Sequence, residues 1–520
     1  LLALLVGVFM WTDSSVSAQN PARQSKLMVP YTEYEWWLID WRTNQVFCRF
    51  FTDHDGLPTI GEVAASCGQD LATTWFQTPP CNNILTCKGL YVFLAATQAT
   101  EREVVIELPP AVVWVSLEGC TPQPPENLCL TLPTLVLTGE EPITGYFITA
   151  IHGAYDGQEF HCTGEICKIQ LLPTPLQGVH VEFWSDSSYG DSSEKFEAEV
   201  RVIDTGVTSA PGASGWYVDV ISSQWTGDPL ASCARIWEAF PPVGGPPTWL
   251  STPDSFQLLA SDEAYYYLAG RLIAQGLVDA SLCFTGGLLP NGYADACGLE
   301  VARPLVQAWQ NQFDARIIEV ARETGVPGQL MKNLFAQESQ FWPGIFRVPY
   351  EFGLGQLTDQ GVDSILLWKP EFFEQFCPLI LSEDTCALGY LNIGEKEQAI
   401  LRGALVLQVR SDCEDCPTGI DLSNVNFSVM LFANTLQANC AQVARTIYNA
   451  SEQMAGRVST YEDLWRFTIA NYHAGPGCVS YAIHQAWDSR SSDELTWENA
   501  ATFFTEPCKS AVPYVEQITK

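Results

Sequence analysis

The hydrophobic pattern of this chain changes period part-way along, and the change demands two kinds of packing from one polypeptide. From about residue 28 to residue 204 the dominant repeat is two. In Phe196, Ala198, Val200 and Val202 the apolar residues alternate with Glu197, Glu199 and Arg201, so one face of an extended strand is buried and the other is wetted. From Ala302 onward the repeat becomes 3.6. Val306, Trp309, Phe313, Ile317 and Val320 make one helical stripe, and similar stripes run through 400–409 and 427–447. The expected architecture is multidomain, with N-terminal β-sandwich-like, all-β modules followed by an all-α domain. At 520 residues and 47% hydrophobic composition, the chain has ample material for packed cores.

Punctuation by proline and glycine divides the chain further. A first β-rich module is expected over 26–120 and a second over 121–230. The segment 89–94 leading into 104–106, and 178–183 leading into 196–202, look like equivalent strand pairs. Ile60, Val63, Ala64 and Cys67 suggest a short helical insertion between Pro58 and Pro80. Phe240-Pro241-Pro242-Val243-Gly244-Gly245-Pro246-Pro247 marks a Pro/Gly linker over 231–250. A small helical connector stapled by Cys283 and Cys297 is expected over 251–300, and the helical domain over 301–520. Ser459-Thr460-Tyr461-Glu462 reads as a capping box opening a late helix.

The compartment follows from the start of the chain and from its cysteines. Residues 1–11 are an apolar run, and Val16-Ser17-Ala18 supplies small residues of the kind found at a signal-peptidase site, so 1–18 reads as a truncated signal peptide. No later run reaches the roughly 18 apolar residues of a membrane span. Eighteen cysteines, an even number with many close neighbours, are expected where disulfides persist. Cys81 with Cys87, Cys120 with Cys129, Cys162 with Cys167, Cys283 with Cys297, Cys377 with Cys386 and Cys413 with Cys416 could each staple a local loop. A secreted, extracellular or cell-envelope protein is expected. No His and Cys grouping has metal-ligand spacing, so neither a metal nor another cofactor is anticipated.

The formal net charge is −34, and residues 1–300 hold 11 basic against 34 acidic side chains. Such a surface repels nucleic acid, which is therefore excluded as a partner.

The chemistry concentrates in the helical part. In Glu338-Ser339-Gln340-Phe341-Trp342-Pro343, Glu338 continues a stripe through Leu330 and Leu334 to Phe341, one otherwise apolar helix face. Desolvation penalises a charged carboxylate there, so the group should hold its proton near neutrality and serve as a general acid. Gly353-Leu354-Gly355-Gln356-Leu357-Thr358 follows, and later comes Ala470-Asn471-Tyr472-His473-Ala474-Gly475-Pro476-Gly477, a helix end broken by glycine and proline. As a second carboxylate, Glu351, Asp359 and Asp363 are the candidates.

Together these three segments resemble the soluble lytic transglycosylase and goose-type lysozyme superfamily, over roughly residues 301 to 520. Its members share an E-S-x-F start, a G-L-M-Q element at the spacing seen from Glu338 to Gln356, and a Y-N-A-G helix end. The chain departs from the pattern at Gly355, where Met is usual, at Arg347, where a small hydroxyl residue is common, and at His473, in the Asn position. The resemblance implies a lysozyme-like helical fold and cleavage of the β-1,4 bond of bacterial peptidoglycan. It makes Glu338 the catalytic acid, with Ser339, Gly353, Leu354, Gln356, Tyr472 and His473 as substrate-binding residues. In the lyases, the substrate's N-acetyl group stabilises the cation and the deprotonated Glu takes a proton from the 6-hydroxyl, giving a 1,6-anhydro sugar. In the goose-type enzymes Asp residues hold a water, and Thr358 stands where one of those would sit. A lytic transglycosylase is the leading expectation, and a hydrolytic muramidase or a non-catalytic glycan-binding envelope protein are the alternatives. The stretch 184–191 resembles the tail of bacterial immunoglobulin-like domains.

Overall fold

The computed structural model describes residues 23–81, 86–122, 127–210, 213–227, 232–261, 263–343, 350–416, 418–490 and 492–520. The expected signal peptide and Arg347 lie outside them. The chain divides into two units, one comprising Leu1–Ala111, Glu141–Tyr146 and Ser187–Ser192, the other Val112–Glu140, Phe147–Asp186 and Ser193–Lys520.

The first unit is built on an antiparallel sheet of β1 (Gln24–Asp40), β2 (Val46–Thr52) and β3 (Leu90–Glu107), in the order β2-β1-β3. One sheet face buries Trp36, Leu38, Phe50 and Leu90 against Val63 and Ala72. Those two belong to helices α1 (Ile60–Cys67) and α2 (Gln69–Phe76), the insertion suggested between Pro58 and Pro80. Thr59 and Glu62 form a reciprocal capping box at the start of α1. The segments 89–94 and 104–106 are not a strand pair. They are the two ends of β3, a single strand that runs beside β1 from Leu90 opposite Asp40 to Glu107 opposite Gln24, with one shift of register at Glu35 and Trp36. No glycine or proline interrupts the sequence between them, so nothing turns the chain.

The second unit begins with β4 (Val112–Glu118), β5 (Leu128–Cys129), β6 (Thr134–Glu140), β7 (Ile148–Tyr155), β8 (Gln158–Thr163), β9 (Ile166–Gln170), β10 (Val179–Ser187), β11 (Phe196–Ala210) and β12 (Ala213–Ile221). They make a six-stranded sheet, β5-β12-β11-β10-β7-β8, and a three-stranded sheet, β4-β6-β9. Alternate residues such as Val113, Val115, Leu135, Leu137, Val181, Phe183, Val200 and Val202 are buried. Strand β4 pairs with β6 in register from Val112 opposite Glu140 to Glu118 opposite Thr134, so it belongs here and not to a module ending at residue 120. Period-two patterning marks a strand without naming its partner.

The helical part follows in the same unit: α3 (Ser232–Trp237), α4 (Tyr266–Ala274), α5 (Ala296–Asn311), α6 (Asp314–Thr324), α7 (Gly328–Ser339), α8 (Asp359–Trp368), α9 (Pro370–Phe376), α10 (Glu383–Cys386), α11 (Glu395–Val409), α12 (Leu422–Ser451), α13 (Ala455–Val458), α14 (Tyr461–Ala474), α15 (Pro476–Ser489), α16 (Trp497–Ala501) and α17 (Ala511–Ile518). Helix α12, 30 residues long, contacts α3, α6, α8, α11, α14 and α15. Thr460, one residue after the anticipated cap, starts α14 by accepting from the Asp463 N–H at 3.2 Å. The stretch 231–250 is not a free linker. Its Cys233 and Trp237 are fully buried, Cys233 is bonded to Cys440 of α12, and Trp237 Nε1 donates to the Cys440 carbonyl at 3.1 Å. An apolar pair ahead of the prolines thus docks the segment on the helical core.

All eighteen cysteines pair, as the six local bridges anticipated and three others, Cys48–Cys67, Cys233–Cys440 and Cys478–Cys508. Among the described residues no helix is long and apolar enough to cross a membrane.

Candidate active site

Helix α7 ends sooner than the apolar stripe implies. Gln340 and Phe341 take φ of 48° and 61°, a left-handed step that stops the helix at Ser339 and turns Phe341 back into the core. Phe341 is fully buried, and its carbonyl accepts from Trp309 Nε1 at 2.8 Å. The Gln340 side-chain oxygen accepts from the N–H groups of Tyr267 and Leu268, at 2.9 and 3.2 Å, tying the helix end to the first turn of α4. On the inner face of α7, Lys332 is fully buried on Asp314 of α6 at 2.6 Å and lies over the Phe341 ring. Burial lowers the pKa of that lysine and raises that of its aspartate, and their pairing offsets both effects only in part. Glu338 therefore stands in the last turn of a helix fixed at both faces.

The second segment is a tight turn. Phe352 and Leu357 exchange both backbone hydrogen bonds, at 3.0 and 2.9 Å, and enclose Gly353, Leu354, Gly355 and Gln356. Gly353 and Gln356 are left-handed, with φ of 71° and 53°. Gln356 Nε2 donates to the Gly353 carbonyl at 2.7 Å, while its Oε1 is buried with no protein partner among the described residues. Gly355 is required by close packing. A Cβ at that position would lie 2.1 Å from the Phe432 ring of α12, so the space that a longer residue would need is already filled from behind.

An aromatic series joins the three segments. The Phe335 ring of α7 lies 4.7 Å from that of Phe432, and Phe432 meets Tyr472 of α14 edge-on at 5.3 Å. The Tyr472 hydroxyl donates to the Gly355 carbonyl, fastening α14 to the turn. Burial, followed by the nearby charges of Glu338 and Glu351, pushes the Tyr472 phenol well up, so it remains a hydrogen-bond donor.

Glu338 is the most perturbed carboxyl of the group. Burial raises its pKa, a hydrogen bond from Tyr514 opposes the rise, and Glu351 adds to it, leaving the group at about 7. The side chain keeps partial solvent access, so its proton can still be exchanged with a ligand. Tyr514, on α17, donates its hydroxyl to Glu338 Oε1. His473 stacks on the Tyr514 ring with centroids 4.0 Å apart and planes 15° apart, and its Nε2 lies 3.4 Å from Ser510 Oγ. The stacked face loses water although the residue keeps an exposed edge, and this lowers the imidazole pKa.

The structure thus gathers Glu338, Gln356, Gly353, Tyr472 and His473. It packs Ser339 and Leu354 away, at 1% and 0% exposure. The Ser339 hydroxyl donates to the Phe335 carbonyl at 3.3 Å, and Leu354 is a core residue, so neither side chain is open to a ligand. Of the three carboxylates weighed as partners, Asp363 is engaged by Arg402 and Tyr390, and Asp359 is exposed in the first turn of α8. Glu351 alone acts on Glu338, and burial raises its own pKa. Tyr514 was missed. Its signal is the amphipathic run Ala511, Tyr514, Val515 and Ile518, a hydroxyl on an apolar stripe like that of Glu338. A cavity of about 620 Å³ elsewhere in this unit, lined among others by Arg201, Asp219, Arg235, Gln437 and Tyr461, contains none of these residues.

Comparison with protein-family models, with curated proteins and with solved structures found no match to this chain.

Proposed function

We propose that the chain is an exported lytic transglycosylase with a lysozyme-like catalytic domain, cleaving peptidoglycan between N-acetylmuramic acid and N-acetylglucosamine. The observation that carries this reading is the Glu338 carboxyl, held at about 7 by burial and bonded by Tyr514. Protonated, it donates to the glycosidic oxygen as the bond to the muramoyl C1 breaks, and the substrate's acetamido oxygen closes on C1. The carboxylate left behind accepts the Tyr514 hydrogen bond, which stabilises it between the two half-reactions. It then removes the proton of the muramoyl 6-hydroxyl as that oxygen attacks C1 and expels the acetamido group. The product is a 1,6-anhydro sugar, and Glu338 ends protonated as it began. Gln356 Oε1, buried and without a protein partner among the described residues, is suited to accept an N–H or O–H of the bound glycan.

Glu351 supports a second reading. Its proximity in charge to Glu338 suits a residue that positions a water, which would make the reaction a hydrolysis. Nine disulfides with no free cysteine agree with an oxidising compartment. Digestion of purified peptidoglycan by the wild-type protein and by Glu338→Gln, followed by weighing of the muropeptides, tests both readings.

A further inference from the structure

Far from Glu338 in sequence, strands β7 and β8 pair so that His152 stands directly opposite His161. Their Nδ1 atoms approach to 3.2 Å, and their ring centroids lie 4.6 Å apart. Two imidazole nitrogens each about 2.0–2.1 Å from one tetrahedral metal ion lie roughly 3.3 Å apart, so the spacing is that of a chelating pair. The other nitrogen of His152, Nε2, lies 2.8 Å from Asp186 Oδ2. A carboxylate only accepts, so Nε2 carries the hydrogen and the Nδ1 lone pair is left facing His161. Trp184 stacks on the His152 ring at 5.5 Å and 11°, limiting its rotation. His161 is exposed and the His152 side chain retains 27% of its accessible surface, so an ion can reach the pair from solvent.

We propose that His152 and His161 bind a divalent transition-metal ion, Cu²⁺ in preference to Zn²⁺, with Asp186 orienting His152 from behind. Imidazole ligands follow that order of affinity, and a carboxylate on the distal nitrogen both fixes the tautomer and raises ligand basicity. Without metal, His161 Nδ1–H donates to His152 Nδ1. On binding, that proton moves to the Nε2 of His161, so both rings ligate as neutral imidazoles and no proton is released. Among the described residues no third ligand atom joins the pair, so water or an external ligand completes the coordination. The one grouping of three candidate ligands among the described residues, Cys283, Asp295 and Cys297, has its two sulfurs joined in a disulfide. The sequence concealed the histidine pair because its members are nine residues apart and meet only through the strand pairing.

Titrating the full chain with CuCl₂ and with ZnCl₂ in a calorimeter tests the site. One ion per chain is expected, and Cu²⁺ electron paramagnetic resonance should show coupling to two nitrogens. His161→Ala, an exposed substitution whose fold is checked by circular dichroism, should weaken Zn²⁺ binding at least tenfold and leave at most one coupled nitrogen. Asp186→Asn should weaken it roughly tenfold while keeping both nitrogens. Absence of binding at millimolar metal, or binding that survives both His152→Ala and His161→Ala unchanged, would overturn the proposal.

Discussion

The hydroxyl of Tyr514 donates a hydrogen bond to Oε1 of Glu338, a residue 176 positions earlier in the chain. The bond sets two opposed influences on one carboxyl. Burial and Glu351 favour the protonated acid, Tyr514 favours the carboxylate, and the balance lies at about 7, where both forms are accessible. A group that must first give and then take a proton needs that balance.

Glu338 should cost the protein stability at alkaline pH. Its folded pKa of about 7 lies above the value of 4.5 for a free glutamate. Between the two, the folded chain retains a proton that the unfolded chain releases, so stability present below pH 4.5 is lost as pH rises through 7. Glu338→Gln has no such proton to lose. Denaturant melts should find it more stable than wild type by about 1–3 kcal/mol at pH 8, with the gap closing near pH 4. A gap independent of pH would mean that the carboxyl is not desolvated.

Replacing Tyr514 by Phe removes the hydrogen bond that lowers the Glu338 pKa. The acid should then keep its proton to higher pH, moving the alkaline limb of the cleavage profile up by about one unit or less, each unit being worth about 1.4 kcal/mol. Turnover should fall at the same time, because the carboxylate intermediate loses its donor. An unmoved limb would place Tyr514 outside the chemistry.

Gly355 and Phe432 should behave as one unit. Gly355→Ala forces a methyl group against the Phe432 ring and should destabilise by about 1–3 kcal/mol, as overpacking does. In Phe432→Leu the same Ala substitution should cost less, giving a coupling of about 0.5 kcal/mol or more in a double-mutant cycle of unfolding free energies. Additive effects would contradict the contact.

Cys233 and Cys440 close a loop of 207 residues and fasten α3 to α12. Changing both to Ser should lower the unfolding free energy of this unit by about 2–5 kcal/mol, read as a lower melting temperature in the absence of reductant. Changing Cys413 and Cys416, three residues apart, should cost much less.

What could be read without coordinates was local. The bridges Cys81–Cys87 and Cys377–Cys386 join near neighbours, so spacing suggested them, whereas Cys233–Cys440 and Cys478–Cys508 depend on helix packing that no spacing encodes. The Glu338 stripe was legible because 3.6 periodicity survives to Ser339. Its extension to Phe341 was not, since a left-handed turn returns Phe341 to the core by another route. Strand β4 fell inside the module drawn over 26–120, because its pairing with β6 was not legible. Tyr514 and the His152–His161 pair share a reason for being missed: each acquires its role only from a group brought alongside by the fold.

The central claim is that Glu338 cleaves glycan without water. Purified peptidoglycan incubated with the wild-type chain should release muropeptides ending in 1,6-anhydromuramic acid, each lighter by one water than a hydrolytic product. Glu338→Gln should release them at least about 100-fold more slowly. Exclusively hydrated products would contradict the lyase and favour a hydrolysis served by Glu351. Undiminished release by the variant, or none by the wild type, would contradict the assignment of Glu338 altogether.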